Sequence, residues 1–192
     1  MHETLTLRPL SAEDGRDIYG MLQEMPAIEN GLSNPCHDVS YEEYQAWLGL
    51  SVEHAAGQNL PEGYVPYSMF WLYAGEKPVG LGQLRHYLND KLRRNSGHIG
   101  YGIRPTARGK GYGSALLSRL LDEAAKLGIA QALITVNTDN QPSLGVVRNN
   151  GGEVAETIDD KHLFRLDTAL SKKQTPHLIH NNSSNPRNPR LV

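Results

Sequence analysis

A glycine-rich turn between a predicted strand and a predicted helix constrains the fold of this chain more than any other feature. Residues 108–113 read RGKGYG; they follow a short strand predicted over residues 97–103 and open a helix that runs to about Leu127. The first N–H groups of a helix have no acceptor within the helix, and the helix dipole is positive there. The turn therefore predicts a site for a phosphate or pyrophosphate. Arg108 and Lys110 add two cations, so we expect the ligand to be a polyanion.

Two well-known phosphate motifs do not fit this turn. The P-loop string G-x-x-x-x-G-K-[ST] is absent from the sequence. The dinucleotide fingerprint G-x-G-x-x-G, started at Gly109, meets Ser114 at its last position, and residues 104–108 separate the turn from the strand. The pattern that fits is Arg/Gln-x-x-Gly-x-Gly/Ala, preceded by a strand and a short link that contains Pro105.

Composition indicates one soluble globular domain. The 192 residues are 39% hydrophobic and 21% charged, as in ordinary globular proteins. A net charge of -2 gives no basic field for nucleic acid, and the single cysteine, Cys36, excludes an internal disulfide and a cysteine-based zinc site. Because there is neither an apolar run of membrane length nor a signal-peptide pattern, we expect a cytoplasmic protein without a membrane partner. We expect the domain to cover residues 1–170, with a polar tail over residues 171–192 that is mobile or docks on a partner.

Hydrophobic periodicity and turn residues predict an ordered series of elements. The order is strand, two helices, three strands, helix, strand, helix and two strands. The predicted strands cover residues 5–8, 68–73, 79–86, 97–103, 132–136, 154–158 and 162–166. The first two helices are predicted after caps at Ser11 and Ser40, the third from the glycine-rich turn and the fourth near Asn140. The three middle strands form an antiparallel meander, whereas the apolar strand after them is predicted to be central and parallel.

This order of elements, together with the glycine-rich turn, resembles the GNAT N-acetyltransferases over residues 5–166. Within it, residues 71–152 look like a bacterial subgroup of predicted acetyltransferases, through Arg85-His86, Leu88-Asn89, residues 97–101 and residues 149–152. The resemblance implies an α/β (α+β) GNAT fold. Its mixed central sheet has about seven strands, with the fourth and fifth splayed apart, and about four helices flank it.

The resemblance also implies acetyl-CoA as the co-substrate and no metal. The strand end at Tyr101, Gly102 and Ile103 matches the segment whose backbone pairs with pantetheine and with the acetyl carbonyl. Asn140 matches an asparagine that touches the pantetheine arm. The turn matches the pyrophosphate cradle, with the predicted residues Arg108, Gly109, Lys110, Gly111, Tyr112, Gly113 and Ser114.

The implied reaction is direct transfer of acetyl from the thioester to an amine. The amine must lose a proton, and His98 and His86 are the candidate bases, although an ordinary strand histidine explains each of them slightly better. The Ile103 N–H is the implied donor to the oxyanion. Many relatives protonate the leaving thiolate with a tyrosine whose position here is Val147, so that acid is absent. Ser143, Tyr101 and Tyr112 are the alternatives, and each is also consistent with capping or packing.

The loop over residues 26–39 is implied to form one wall of the acceptor pocket. Glu29 and Asn30 are the candidate acceptor residues, and Glu24 and Asp38 are further carboxylates that could bind a cationic acceptor. We expect the acceptor to be a small-molecule primary amine. A protein or peptide N-acetyltransferase and a CoA-binding sensor domain without catalysis are the alternatives. The sequence leaves a homodimer open.

Overall fold

A computed structural model of the protein describes residues 3–169, so the predicted tail over residues 171–192 lies outside the described residues. In chain order the elements are β1 (Leu5–Pro9), α1 (Arg16–Glu24), β2 (Ile28–Glu29), β3 (Leu32–Ser33), α2 (Tyr41–Ala55), β4 (Tyr67–Ala74), β5 (Lys77–Arg85), α3 (Asp90–Asn95), β6 (Ile99–Ile103), α4 (Tyr112–Lys126), β7 (Gln131–Asn137), α5 (Gln141–Asn149), β8 (Glu153–Ile158) and β9 (Lys161–Asp167). No helix within residues 3–169 is both long and apolar enough to cross a membrane.

Seven main strands form two sheets that meet at one point. The first sheet has the order β1-β4-β5-β6 and the second β7-β9-β8, and every ladder in both is antiparallel. Between β6 and β7, one isolated bridge pairs Gly97 with Ile134. The N–H of His98 also donates to the carbonyl of Leu133 at 2.6 Å. Beyond this junction the two strands separate, as predicted for a splayed pair.

The prediction that residues 132–136 form a central parallel strand needs correction. Within the described residues, β7 forms a ladder only with β9, in antiparallel register. Its apolar sequence has another cause, since Ala132, Ile134 and Val136 point into the main core. The edge that a parallel neighbour would occupy instead faces the space between the diverging sheets.

Two hydrophobic cores lie on opposite faces of the first sheet. One is built around α4, whose stripe of Leu116, Leu117, Leu120, Leu121 and Ala124 is buried as its helical spacing predicts. The other lies under α1 and α2 and includes Trp71 and Tyr44. Strand β5 serves both, because alternate side chains of a strand point to opposite faces.

Of the two predicted helix caps, the one at Ser11 is wrong and the one at Ser40 is confirmed. Ser11 does not cap α1; it forms a turn in which its N–H donates to Asp14 Oδ2 at 2.9 Å, and the helix begins at Arg16. The predicted capping box at Ser40 is confirmed, because its hydroxyl accepts from the Glu43 N–H while the Glu43 carboxylate accepts from the Ser40 N–H.

The predicted loop over residues 26–39 contains a short hairpin, β2–β3, that the sequence analysis missed. Its turn residues Asn30 and Gly31 have φ of +50° and +83°. Positive φ at both central residues is typical of a type I′ turn, for which Asn-Gly is a favoured pair. Between β5 and β6 lies a second element that was not predicted, the helix α3, which is capped by the Asn89 side chain.

Replacing Gly97 with alanine is expected to destabilise the protein far more than the same change at Gly128. Both glycines have positive φ, of +71° and +80°. A Cβ at Gly97 would lie 2.2 Å from the Leu133 carbonyl oxygen, whereas a Cβ at Gly128 has nothing within 4 Å. We expect Gly128→Ala to lower the free energy of unfolding by about 1 kcal/mol and Gly97→Ala by about 3 kcal/mol or more. Urea unfolding of the two variants measures this, and equal losses would show that the junction does not require a glycine.

Candidate active site

A cavity of about 790 Å³ lies between the diverging strands β6 and β7. Its size is in the range of small-molecule and cofactor pockets. The glycine-rich turn and the first turns of α4 and α5 line one end, which we call the cofactor end. The β2–β3 hairpin, the end of β5 and the end of α3 line the other, which we call the acceptor end.

The edge of β6 that faces this cavity carries backbone N–H groups that pair with no other strand within residues 3–169. The carbonyl of His98 and the N–H of Arg104 both bond to β5, at 2.8 and 3.0 Å. In an antiparallel pair the bonding direction alternates along the strand, so the N–H groups of Tyr101 and Ile103 point away from β5. These two residues line the cavity. The edge can therefore hydrogen-bond a ligand amide or carbonyl in the way it would bond another strand.

Glycines on β6 allow the acceptor end to approach this edge closely. A Cβ at Gly102 would lie 2.7 Å from Leu32 Cδ2 and 2.9 Å from Met25 Cε, and one at Gly100 would lie 3.3 Å from Leu32 Cδ1. Gly100 and Gly102 thus face α1 and β3, while Tyr101 packs against the core on the opposite face.

The glycine-rich turn has the geometry of an anion cradle. Gly109 and Gly111 have φ of +78° and +79° and open space on their Cβ side. The first bond of α4 runs from the Ala115 N–H to the Gly111 carbonyl, so the N–H groups of the three preceding residues have no acceptor within the helix. Residues 111–114 line the cavity with Gly109, whereas Lys110 is exposed outside it. The turn therefore fits a phosphate group on backbone N–H donors.

Arg108 is paired across the cavity rather than left as a free cation. Its Nη1 and Nη2 donate to the two carboxylate oxygens of Glu29 at 3.0 and 2.6 Å, and its Nε donates to the Ile103 carbonyl at 2.9 Å. Arg108, which was predicted to bind the polyanion, thus pairs with Glu29, which was predicted to bind the acceptor. Asn30, the other predicted acceptor residue, lines the cavity at the hairpin turn.

Glu24 fixes the link that leads into the glycine-rich turn. Its carboxylate accepts from Arg104 Nε and from the Thr106 N–H, both at 2.7 Å, and Arg104 also donates to the Pro78 carbonyl. Burial alone would raise the pKa of Glu24, but Arg104 and Thr106 together outweigh it and lower the pKa to about 2. Glu24 is absent from the cavity lining, as is Asp38, so neither carboxylate faces an acceptor there.

Tyr101 and Ser143 come together at the first turn of α5. The Tyr101 hydroxyl donates to the Ser143 carbonyl at 3.4 Å, and the Asn140 side chain accepts from the Ser143 N–H at 3.2 Å as the helix cap. All three line the cavity. Burial raises the pKa of Tyr101 to about 12, so its phenol is protonated at neutral pH. Val147 is fully buried, and the Tyr112 hydroxyl instead donates to Glu3 at 2.8 Å.

The two candidate bases do not line the cavity. His98 Nδ1 accepts from the Leu133 N–H at 2.9 Å, on the junction between the sheets. Burial, helped by the nearby charges of Arg93 and Arg85, lowers the pKa of His98 to about 4. His86 Nε2 lies 2.9 Å from the Ser68 hydroxyl, and burial lowers its pKa as well. These contacts favour structural roles for both histidines.

Sequence reasoning missed most of the acceptor end. Gln83 and Arg85 occupy alternate positions on β5 and line the cavity beside the end of α3. Their parity with Leu81, which is buried under α1, could have placed them on the acceptor face. Other lining residues that were not predicted include Leu32, Asn95, Ser96, Thr135, Asn137, Asp139 and Lys161.

A scan against protein families matches residues 4–153 to the acetyltransferase (GNAT) domain. The chain belongs to the GNAT acetyltransferase family. It is therefore an acetyl-transferring enzyme, and the predicted family and fold class are confirmed. No protein with a curated description matches the sequence significantly.

Solved structures of acetyltransferases share this fold at low identity. RimL, a ribosomal L7/L12 alpha-N-protein acetyltransferase in complex with coenzyme A, is 19% identical, with a TM-score of 0.61 over 87% of this chain and 96% of its own. The microcin C7 self-immunity acetyltransferase MccE, with acetyl-CoA and AMP, is 14% identical, with a TM-score of 0.60 over 85% and 92%. PseH, an N-acetyltransferase of Campylobacter jejuni with acetyl coenzyme A, is 13% identical, with a TM-score of 0.56 over 85% and 99%.

Two substitutions at His98 separate a structural role from a catalytic one. Asparagine can accept the Leu133 N–H in place of Nδ1, whereas alanine leaves that donor unpaired. We expect His98→Ala to lower the free energy of unfolding by about 2 kcal/mol, and His98→Asn to lower it by much less. Acetyl transfer by the folded His98→Asn variant should stay within about threefold of the parent. A loss of 100-fold or more in both variants, with stability retained, would instead identify a general base.

Proposed function

We propose that this enzyme transfers acetyl from acetyl-CoA to a primary amine of a small molecule by direct attack. The observation that carries the proposal is one continuous cavity that joins the anion cradle of α4 to the free edge of β6 and then to the acceptor end. A phosphate-bearing thioester and a separate acceptor can thus approach the same strand edge from two sides. Acetyl-CoA supplies the activated acetyl group as its thioester.

Each part of the cofactor has a matching part of the cavity in this proposal. The N–H groups at residues 112–114 bind the pyrophosphate at the start of α4. The backbone of Tyr101 and Ile103 bonds the pantetheine arm, and Asn140 contacts it from the start of α5. Arg108 keeps the β2–β3 hairpin near the cradle through Glu29.

The chemistry requires a donor for the oxyanion and a proton for the leaving group. The acceptor ammonium first loses a proton to water, because neither candidate histidine lines the cavity. The amine nitrogen then forms a bond with the carbonyl carbon, and the carbon–sulfur bond breaks with its electron pair on sulfur. The nitrogen loses a second proton in this step, which balances the proton that the sulfur receives. The Ile103 N–H, fixed on the β6 edge, stabilises the negative oxygen. The Tyr101 hydroxyl, held at the first turn of α5, protonates or hydrogen-bonds the departing thiolate. It occupies the role that the family gives to a tyrosine at the position of Val147.

One other class of acceptor is an alternative for a definite reason. RimL, which shares the fold, acts on a ribosomal protein, so a protein or peptide N-terminus is an alternative acceptor. The CoA-binding domain without catalysis, named as an alternative from the sequence, is set aside because the chain belongs to the acetyltransferase family. Turnover with a pool of small amines, amino acids and peptides distinguishes these possibilities.

Two substitutions of Gly111 test the cradle with matched size. Aspartate and asparagine both tolerate positive φ, but only aspartate puts a negative charge at the start of α4. We expect Gly111→Asp to bind CoA at least about tenfold more weakly than Gly111→Asn, with similar thermal midpoints. Calorimetric titration with CoA measures the difference. Equal affinities in the two variants would mean that no phosphate binds at this turn.

Removing the hydroxyl of Tyr101 tests the proposed acid. We expect Tyr101→Phe to lower kcat by about 100-fold while the dissociation constant for CoA stays within about threefold of the parent, because the backbone of residue 101 is retained. Thiol release from acetyl-CoA with an active amine measures the rate. Ser143→Ala is the comparison variant. A large loss in Ser143→Ala with little loss in Tyr101→Phe would transfer the role to Ser143.

A further inference from the structure

Arg85 is a charged side chain at the acceptor end whose known contacts are both with neutral groups. Its Nη1 donates to the Gly97 carbonyl at 3.0 Å and its Nη2 donates to Gln83 Oε1 at 3.1 Å. A guanidinium has five N–H donors, so these two bonds leave three available. Arg85 is half-buried and lines the cavity.

No carboxylate within the described residues forms an ion pair with Arg85. The carboxylates nearest the turn and hairpin are already used, since Glu24 pairs with Arg104 and Glu29 pairs with Arg108. Asp139 also lines the cavity, but it follows β7 at the cofactor end, five residues beyond the bridge at Ile134. Burial lowers the pKa of Arg85, as expected for a positive charge in a partly desolvated place.

A half-buried cation without an anionic partner favours binding of an anion. Removing a charge from water costs free energy unless an opposite charge and hydrogen bonds replace the water. A ligand carboxylate or phosphate on the remaining N–H donors would provide both, and arginine is well shaped for such groups. The phenols of Tyr64 and Tyr67 are its other electrostatic neighbours, and burial raises the pKa of Tyr67.

Arg85 lies within reach of the reacting edge of β6. It lies two residues after Gln83 on β5. Gln83 pairs with Gly100, which is the residue before Tyr101. Its side chain turns back along β5 toward Gln83, whose Oε1 lies 3.8 Å from the Cβ position of Gly100. The Tyr101 backbone is roughly 10 Å along the strand from the level of Arg85, at about 3.3 Å per residue. A small acceptor can span this separation between its amine and a second group.

We propose that the acceptor carries an anionic group, a carboxylate or a phosphate, besides its amine, and that this group docks on Arg85. The inference rests on the proposed function and names the class of acceptor for it. It replaces the cationic acceptor expected from Glu24, Glu29 and Asp38, because the structure turns the first two toward arginines.

Product-like probes test this inference without turnover. The probes are N-acetyl-ω-amino acids of increasing chain length, the matching carboxamides, and N-acetylaminoalkyl phosphates, each titrated by calorimetry with CoA and without it. We expect acids or phosphates to bind about 10- to 100-fold more tightly than the carboxamides of the same length. The preferred anion and chain length distinguish carboxylate from phosphate. Equal binding of acid, phosphate and carboxamide, or no binding of any at millimolar concentration, would overturn the inference.

Three variants attribute the preference to Arg85. Arg85→Gln should abolish the preference for the anion, and Arg85→Lys should keep part of it. Arg94→Gln removes the same charge from the exposed surface of α3, outside the cavity, and should leave the preference unchanged. Retention of the full preference in Arg85→Gln would refute the assignment. CoA binding is titrated separately, so its absence counts against the proposed function, whereas CoA binding without an anion preference counts only against this inference.

Discussion

The contact between the two sheets at Gly97, His98 and Leu133 determines where everything else in this enzyme can lie. Two backbone groups of Leu133 are satisfied there, its carbonyl by the His98 N–H and its N–H by the His98 ring. Past this point β6 and β7 have no ladder in the described part of the chain, so one edge of β6 keeps unpaired N–H groups inside the molecule. Buried backbone N–H groups need acceptors. A ligand that supplies these acceptors is both bound and oriented by the edge of β6. The cavity thus exists because the pairing of β6 with β7 stops at this junction.

The parts of the site that the sequence predicted are those determined by local backbone chemistry. The turn needs positive φ and open space at Gly109 and Gly111. Glycine meets both needs, so six consecutive residues are enough to predict the turn. The role of His98 was different, because its partner Leu133 lies 35 residues away and no periodicity pairs them. The acceptor end was missed for the same reason. It combines β5, α3 and a hairpin whose Asn-Gly signal was visible but whose placement against Gly102 depends on tertiary packing.

Ion pairs at the cavity tie separate elements to the glycine-rich turn. Glu24 joins the end of α1 to the link before the turn, and Glu29 joins the β2–β3 hairpin to the turn itself. Because Glu24 and Glu29 each pair with an arginine, they hold these elements together and do not attract a cationic ligand. The charge that remains unmatched at the acceptor end is positive, on Arg85. Acidic residues near a pocket therefore predict a cationic ligand only when their partners are known.

The acid proposed here, Tyr101, occupies a different position from the tyrosine that relatives carry where this chain has Val147. A side chain at Val147 points into the core, against α4 and the second sheet, where a hydroxyl would lie among apolar groups. Tyr101 reaches the same helix from the opposite side of the cleft, and its hydroxyl is bonded to a carbonyl in the first turn of α5. Its backbone is positioned by the β5–β6 ladder, and its hydroxyl is positioned by the hydrogen bond to α5. One residue of the cavity lining is thus held at both ends.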